Sequence, residues 1–213
     1  MRTTRNYRNA VENFIRDVHN RPAFQNILTI LRTNKAGRVW LVGGTIYRTL
    51  ARFLYGKIPQ LNGDPDYDLT YTNKLPHKLS LPSCWTFEPK PNHTPEPFDP
   101  YDKDRLTNGK AKADLIHLEE WWIFDKLGCA PTLESYLDTV PLDIQAIAYD
   151  PVDRVFHDAG CRDALESRTV RIRCPQNAAI AAQRAILPNA HAYAELKARS
   201  LGFTVYQPLK RVS

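Results

Sequence analysis

The 213-residue chain carries 29 lysines and arginines against 23 aspartates and glutamates, a formal net charge of +6, with 43% apolar and 24% charged residues. That is the composition of a soluble globular protein, long enough for one domain or one domain with a small appendage, and it excludes a chain dominated by disorder. No apolar run reaches the length a bilayer span needs, and Met1-Arg2-Thr3-Thr4-Arg5 lacks the apolar stretch of a signal peptide, so a cytoplasmic protein without a membrane partner is expected.

Arginine outnumbers lysine, which suits planar contacts with phosphate and makes nucleic acid a candidate partner. Cys84, Cys129, Cys161 and Cys174 show no C-x-x-C spacing. Four reduced thiols are expected rather than a zinc ribbon or a redox pair.

Taken in order, Val11, Phe14, Ile15 and Val18, then Phe24, Ile27, Leu28 and Leu31, recur at helical spacing with Pro22 between them, which predicts two short amphipathic helices. Arg2, Arg5, Arg8 and Arg16 form either a phosphate-facing surface or a solvated helix face, the second being the ordinary case. After Gly37 an apolar strand, Val39 to Val42, runs into Gly43-Gly44, and Thr45 to Leu54 reads as a helix with Arg48 and Arg52 sharing a face. Tyr55 to Pro65 holds Gly56, Pro59, Gly63 and Pro65, which is loop chemistry. The chain then extends through Tyr71. Alternation places Asp66 and Asp68 on one face, about 7 Å apart, with Tyr67, Leu69 and Tyr71 on the other. Two carboxylates on one face repel unless a cation lies between them. Glycines before a helix start let backbone amides approach a phosphate closely. Together they point to a metal and a nucleotide.

Leu41-Val42-Gly43-Gly44, Asp66-Tyr67-Asp68-Leu69 and Thr72-Asn73-Lys74-Leu75-Pro76 resemble the head domain of tRNA CCA-adding enzymes and bacterial poly(A) polymerases, within the polymerase-β-like nucleotidyltransferase superfamily. Asp143 to Asp150 is similar to the segment after that family's catalytic strands. Asp158 to Arg171 looks like its G-x-x-D-L…I-R stretch, and Ala194 to Val205 like the start of its neck. The resemblance implies that Gly43 and Gly44 hold an NTP triphosphate and that Asp66 and Asp68 bind two Mg²⁺ ions. The sequence departs from the family at Tyr47, where an arginine is usual and Arg48 follows one position later, and at Asp143 and Gln145, where Thr and Asn are usual. An insertion from Gly56 to Pro65 separates glycines from carboxylates, and the body and tail domains that grip tRNA in the family are expected to be missing.

His77 to Asn108 is rich in proline and is expected to be an exposed loop, with Ser83 to Glu88 its one credible strand and His93, Asp99, Asp102 and Asp104 solvated. Ala111 to Glu119 resumes regular structure with Asp114, Ile116 and Leu118 on one face. Asp114 in Lys112-Ala113-Asp114-Leu115-Ile116 looks like the superfamily's third carboxylate, which completes metal binding and orients or deprotonates the attacking hydroxyl; the alternative is an edge-strand aspartate facing water. Trp121, Trp122, Ile123 and Phe124 are expected to pack rather than stack a base, and His117 to be structural. Asp143 and Asp150 could join the site, although Asp150-Pro151 reads first as a turn. Gln176 to Leu187 and Ala192 to Leu201 read as alanine-rich helices, with Arg184 and Arg199 as possible phosphate contacts.

The expected fold is α/β (α+β): a small mixed, twisted sheet of the nucleotidyltransferase type flanked by helices. A head domain over residues 1–173, with the proline-rich insertion at about 77–108, is followed by a short helical extension over 174–213. The expected activity is transfer of a nucleotidyl group from an NTP to a hydroxyl acceptor with release of pyrophosphate. Asp66, Asp68 and Asp114 act with two Mg²⁺ ions, Gly43, Gly44 and Thr45 cradle the phosphates, and Arg48 neutralises charge. An RNA 3′ end such as tRNA is the favoured acceptor. The alternatives are a small-molecule or protein acceptor, as in toxin and antitoxin relatives, and a non-catalytic nucleotide- or RNA-binding module.

Overall fold

The computed structural model describes residues 2–56, 66–89 and 103–207, leaving aside the side chains of residues 2–5. The two N-terminal helices form as their periodicity requires. In α1 (Arg2–His19), Ala10, Phe14 and Val18 recur every four residues and are buried. Pro22, which lacks an N–H, opens α2 (Pro22–Thr33), whose Phe24, Ile27, Ile30 and Leu31 are buried. Strand β1 (Val39–Val42) leads through Gly43 into α3 (Gly44–Tyr55), and β2 (Asp66–Tyr71) follows.

Two more strands come from the segment expected to be loop. Regular structure is shorter than expected at Ser83, with only β3 (Thr86–Glu88) formed, and β4 (Asp104–Thr107) corrects the expectation of an exposed loop up to Asn108. Leu106 of β4 is fully buried, and Asn108-Gly109 turns the chain into β5 (Lys112–His117), Gly109 taking φ +78° and the Asn108 side chain accepting from the amides of Lys110 and Ala111. Asn-Gly is a strong hairpin signal; the proline count around it concealed the strand. Asp104 is half-buried and accepts a hydrogen bond from the Tyr71 hydroxyl, so it is not the solvated residue expected. His93, Asp99 and Asp102 lie outside the described residues, as does the insertion beyond Gly56 up to Pro65.

Short helices α4 (Ile123–Leu127) and α5 (Leu133–Thr139) precede the hairpin of β6 (Ile147–Asp150) and β7 (Val155–Asp158). Then come α6 (Cys161–Ser167), β8 (Thr169–Val170), α7 (Pro175–Arg184), α8 (Ala190–Leu201) and β9 (Thr204–Val205), which returns to pair in parallel with β8. Among the described residues the main sheet has seven strands in the order β3-β4-β5-β2-β1-β6-β7 and is mixed: β2 pairs antiparallel to β1 and parallel to β5.

Alternation along the central strands sends side chains to two cores. Leu41, Tyr67, Leu69, Tyr71, Ala113 and Leu115 join the helices α1 to α3 in the larger one, which also takes in Ala181 of α7 and Ala194 and Ala198 of α8. Trp40, Val42, Ile116 and Ala148 face the smaller one with Trp121, Phe124 and Tyr136. Trp121, Ile123 and Phe124 of the aromatic run are packed: Trp121 is buried, lies 5.0 Å from the Tyr136 ring and directs its indole N–H to Thr139, while Trp122 is half-buried. No helix among the described residues is long and apolar enough to cross a membrane. All four cysteines are free thiols.

Candidate active site

The carboxylates stand on the sheet face that Val42 and Ile116 present to the smaller core. In the parallel pair of β2 and β5, Asp66 lies opposite Lys112 and Asp68 opposite Asp114. Asp68 and Asp114 thus sit side by side on neighbouring strands, both projecting from the same face. Their exposure differs from that of Asp66, whose side chain is 71% exposed against 30% for Asp68 and 18% for Asp114.

Each carboxylate meets a cation from the chain itself. Lys103, immediately before β4, places its Nζ 3.0 Å from Asp68 Oδ1 and 3.8 Å from Asp114 Oδ2. Arg105, cross-strand to Asp114, donates from Nε to its Oδ1 at 2.8 Å, and that bond holds the guanidinium above its ordinary pKa. Lys112 Nζ is 3.7 Å from Asp66 Oδ2. Sequence reasoning passed over these three bases. Lys112 was within reach, since it alternates with Asp114 on one strand face; Lys103 and Arg105 needed β4 to be recognised first.

Gly43 adopts φ +71° and ψ −143° at the N-cap of α3, a conformation essentially reserved for glycine. A Cβ there would lie 2.8 Å from Asp68 Oδ2, so the turn and the carboxylate are in direct apposition. The first amides of α3 have no intrahelical carbonyl to bond, which favours an anion at this end. The buried Thr45 hydroxyl donates to the backbone carbonyl of Asp66 at 2.6 Å, tying the first turn of α3 to the start of β2. Arg48 folds back over that turn, with its Cζ 3.7 Å from where a Gly44 Cβ would be and 5.9 Å from the Tyr47 ring centre. Burial pushes the Tyr47 phenol up, with Arg48 pulling the other way.

A cleft of about 1070 Å³ joins these parts: Gly43, Gly44, Thr45, Arg48, Asp66, Asp68 and Lys103 line it, as do Arg184 of α7 and Lys197 of α8. Burial, reinforced by Arg48, draws the Lys197 ammonium below its ordinary pKa, while Asp68 pulls it up. Of the two arginines singled out in the extension, Arg184 lines this cleft and Arg199 does not. Arg52 also lines the cleft and pairs with Asp17 at 3.3 Å. Of the N-terminal basic residues, Arg8 is exposed and pairs with Glu12 at 3.1 Å, and the side chains of Arg2 and Arg5 lie outside the described residues.

The other named candidates are structural. Asp143 accepts from the amides of Ile144 and Arg171, burial pushing its carboxyl up. Asp150 accepts from Arg38 and from the amides of Val152 and Asp153, the turn its Asp-Pro pair predicts. His117 lies against Tyr71, and its Nε2 is 3.1 Å from the Thr72 carbonyl oxygen.

The donor set suits a hard divalent ion, because Asp66, Asp68 and Asp114 offer carboxylate oxygens. The Lys103 ammonium already bridging Asp68 and Asp114 stands in for a cation between them. Asp66 is directed at Lys112 and solvent, and among the described residues no three His, Cys, Asp or Glu side chains are assembled as a metal-binding group.

No protein-family model matches the sequence, and no curated protein matches it. Solved structures do. The Thermotoga maritima CCA-adding enzyme complexed with tRNA is similar over 94% of this chain and 43% of its own, with a TM-score of 0.53 and 17% identity. A CCA-adding enzyme in complex with ATP is similar over 92% and 42%, with a TM-score of 0.51 and 17% identity. A tRNA-processing enzyme in an apo form is similar over 86% and 44%, with a TM-score of 0.51 and 16% identity. The chain spans less than half the length of each of these proteins. Its mixed sheet, the helix following the glycine turn and the strand pair that carries Asp68 and Asp114 are thus set in a fold that these CCA-adding enzyme structures share over part of their length.

Proposed function

We propose that this chain is a metal-dependent nucleotidyltransferase that transfers a nucleotidyl group from an NTP to a hydroxyl acceptor, an RNA 3′ end such as that of tRNA, and acts in the cytoplasm. The observation that carries the reading is Asp68, in register with Asp114 on the neighbouring strand, lining one cleft with the Gly43-Gly44 turn against which it lies. Similar solved structures hold ATP or tRNA, and the formal charge of +6 suits a polyanionic acceptor.

In this reading the free amides of Gly44 and Thr45, with Gly43 shaping the turn, cradle the β and γ phosphates, and Arg48 neutralises their charge. Thr45 acts through its backbone, since its hydroxyl is held by Asp66. Asp66, Asp68 and Asp114 would hold two Mg²⁺ ions, which supply neutralisation of the triphosphate and a lowered pKa for the acceptor hydroxyl. Asp114 orients that hydroxyl and takes its proton. The acceptor oxygen bonds to the α-phosphorus as the bond from that phosphorus to the bridging oxygen breaks, and pyrophosphate leaves with the electron pair.

The test is to incubate the purified chain with each labelled NTP, Mg²⁺ and total RNA, and to ask whether RNA, protein or a small molecule carries the label. Label on an RNA 3′ end, lost at least about a hundredfold in Asp66→Asn/Asp68→Asn with an unchanged melting profile, is expected. NTP consumption unchanged in that double variant overturns the enzymatic reading; label on protein or a small molecule overturns the acceptor.

A further inference from the structure

Asp68 and Asp114 face each other across a parallel strand pair with only 30% and 18% of their side chains exposed. Two carboxylates so placed repel strongly, and water screens them little. The Lys103 side chain is itself only 18% exposed, an arrangement an ammonium tolerates when carboxylates replace its hydration. Its Nζ reaches an oxygen of each aspartate, whereas Arg105 holds the other oxygen of Asp114 from within the β4 ladder. Asp114 therefore keeps a partner if Lys103 leaves. Lys103 precedes the ladder, and its flexible four-carbon stem lets the ammonium swing away without disturbing the strands.

We propose that Lys103 is the resident counter-cation of the Asp68–Asp114 pair: a positioning residue that holds both carboxylates in register before a divalent ion arrives and is displaced by it. This rests on the metal-binding reading of the same carboxylates. Ammonium and metal compete for the same oxygens, so Lys103 sets the metal concentration at which the site fills.

Mn²⁺ binding to the full chain without nucleotide, followed by electron paramagnetic resonance, tests this in wild type, Lys103→Met, Lys103→Arg and Lys112→Met. Lys103→Met is expected to bind Mn²⁺ about tenfold tighter or more. It should also melt lower than wild type in chelator and recover with Mn²⁺. Lys103→Arg, which keeps the charge, stays near wild type. Lys112→Met removes an equal charge beside the exposed Asp66 and should change affinity by less than about threefold. An unchanged or weaker affinity in Lys103→Met, or an equal gain in Lys112→Met, overturns the proposal while leaving the metal reading intact. No Mn²⁺ binding by any of the four overturns both. Wild type alone gives a second readout: acylation of Lys103, quantified by mass spectrometry, rises when Mn²⁺ is added, and a rate indifferent to Mn²⁺ overturns displacement.

Discussion

At the scale of single residues, the two glycines of the turn are not equivalent. Gly43 is locked at φ +71° with Asp68 Oδ2 against the place of a Cβ, while Gly44 opens the helix and would offer an added Cβ only ordinary contact with Arg48. Gly43→Ala should therefore cost about 2–3 kcal/mol in backbone strain and displace Asp68. Gly44→Ala should cost less than about 0.5 kcal/mol, since alanine is the better helix former. Urea denaturation of both variants checks this; equal destabilisation would mean that the turn is not built as described. The sequence marked both glycines but could not rank them, because the distinction lies in one backbone angle and one side chain 25 positions away. For the aspartates it went further: strict alternation in Asp66-Tyr67-Asp68 is enough to put both on one face, and the matching strand brought Asp114 beside them. What alternation does not carry is the identity of the counter-charges, which depends on which strand lies next to β5.

Among the elements, the hairpin of β6 and β7 shows how one carboxylate closes a turn. Asp150 has 2% of its side chain exposed; one oxygen accepts from the amides of Val152 and Asp153, and the other from Arg38 Nε at 3.0 Å. Asp150→Ala strands two amides, while Arg38, 55% exposed, keeps Asp153 at 2.9 Å, and should destabilise the protein by about 2–3 kcal/mol, measurable as a lowered urea midpoint. A loss below about 1 kcal/mol would show that water replaces those bonds freely. The turn was legible from Asp-Pro; the tie to Arg38, more than a hundred residues upstream, was not. The same contrast separates β2 from β4. The first announces itself by local alternation between apolar and acidic residues. The second, Asp104-Arg105-Leu106-Thr107, has one buried apolar residue and is a strand because β5 offers it an edge to pair with, a tertiary cause that local composition does not contain.

For the molecule as a whole, the joints between helices and sheet are made largely of tyrosines. Tyr149 meets Phe14 and the His19 ring of α1 from β6, its hydroxyl 2.7 Å from His19 Nε2; Tyr7 donates from α1 to Asp158 of β7; Tyr71 donates from β2 to Asp104 of β4; Tyr47 is buried in α3. Strand alternation placed Tyr71 on the face opposite the carboxylates, and no periodicity singled out Tyr7, Tyr47 or Tyr149. Nothing in the pattern indicated that phenols would bear on four joints at once. Burial pushes all four up, Tyr149 to about 12, the Tyr7 and Tyr71 carboxylate partners adding to the effect. An unfolded tyrosine ionises near pH 10, so above that value the unfolded chain loses protons that the native state retains. Stability that is complete below pH 10 must then fall as pH rises toward and through the native values. Lys197 acts in the opposite sense, because its native pKa is lowered: the unfolded chain binds the extra proton up to about pH 10.5, and stability gains there with rising pH. The Cys161 thiol, also pushed up by burial, lowers stability from about pH 9 against the gain from Lys197, so the melting temperature should change little to about pH 10 and drop steeply from about pH 10.5 to 12, where the tyrosines and Cys161 act together. Tyr149→Phe should melt with a shallower alkaline slope even if it starts lower for want of the His19 contact. An alkaline slope identical to that of wild type would mean that the Tyr149 joint does not couple ionisation to folding.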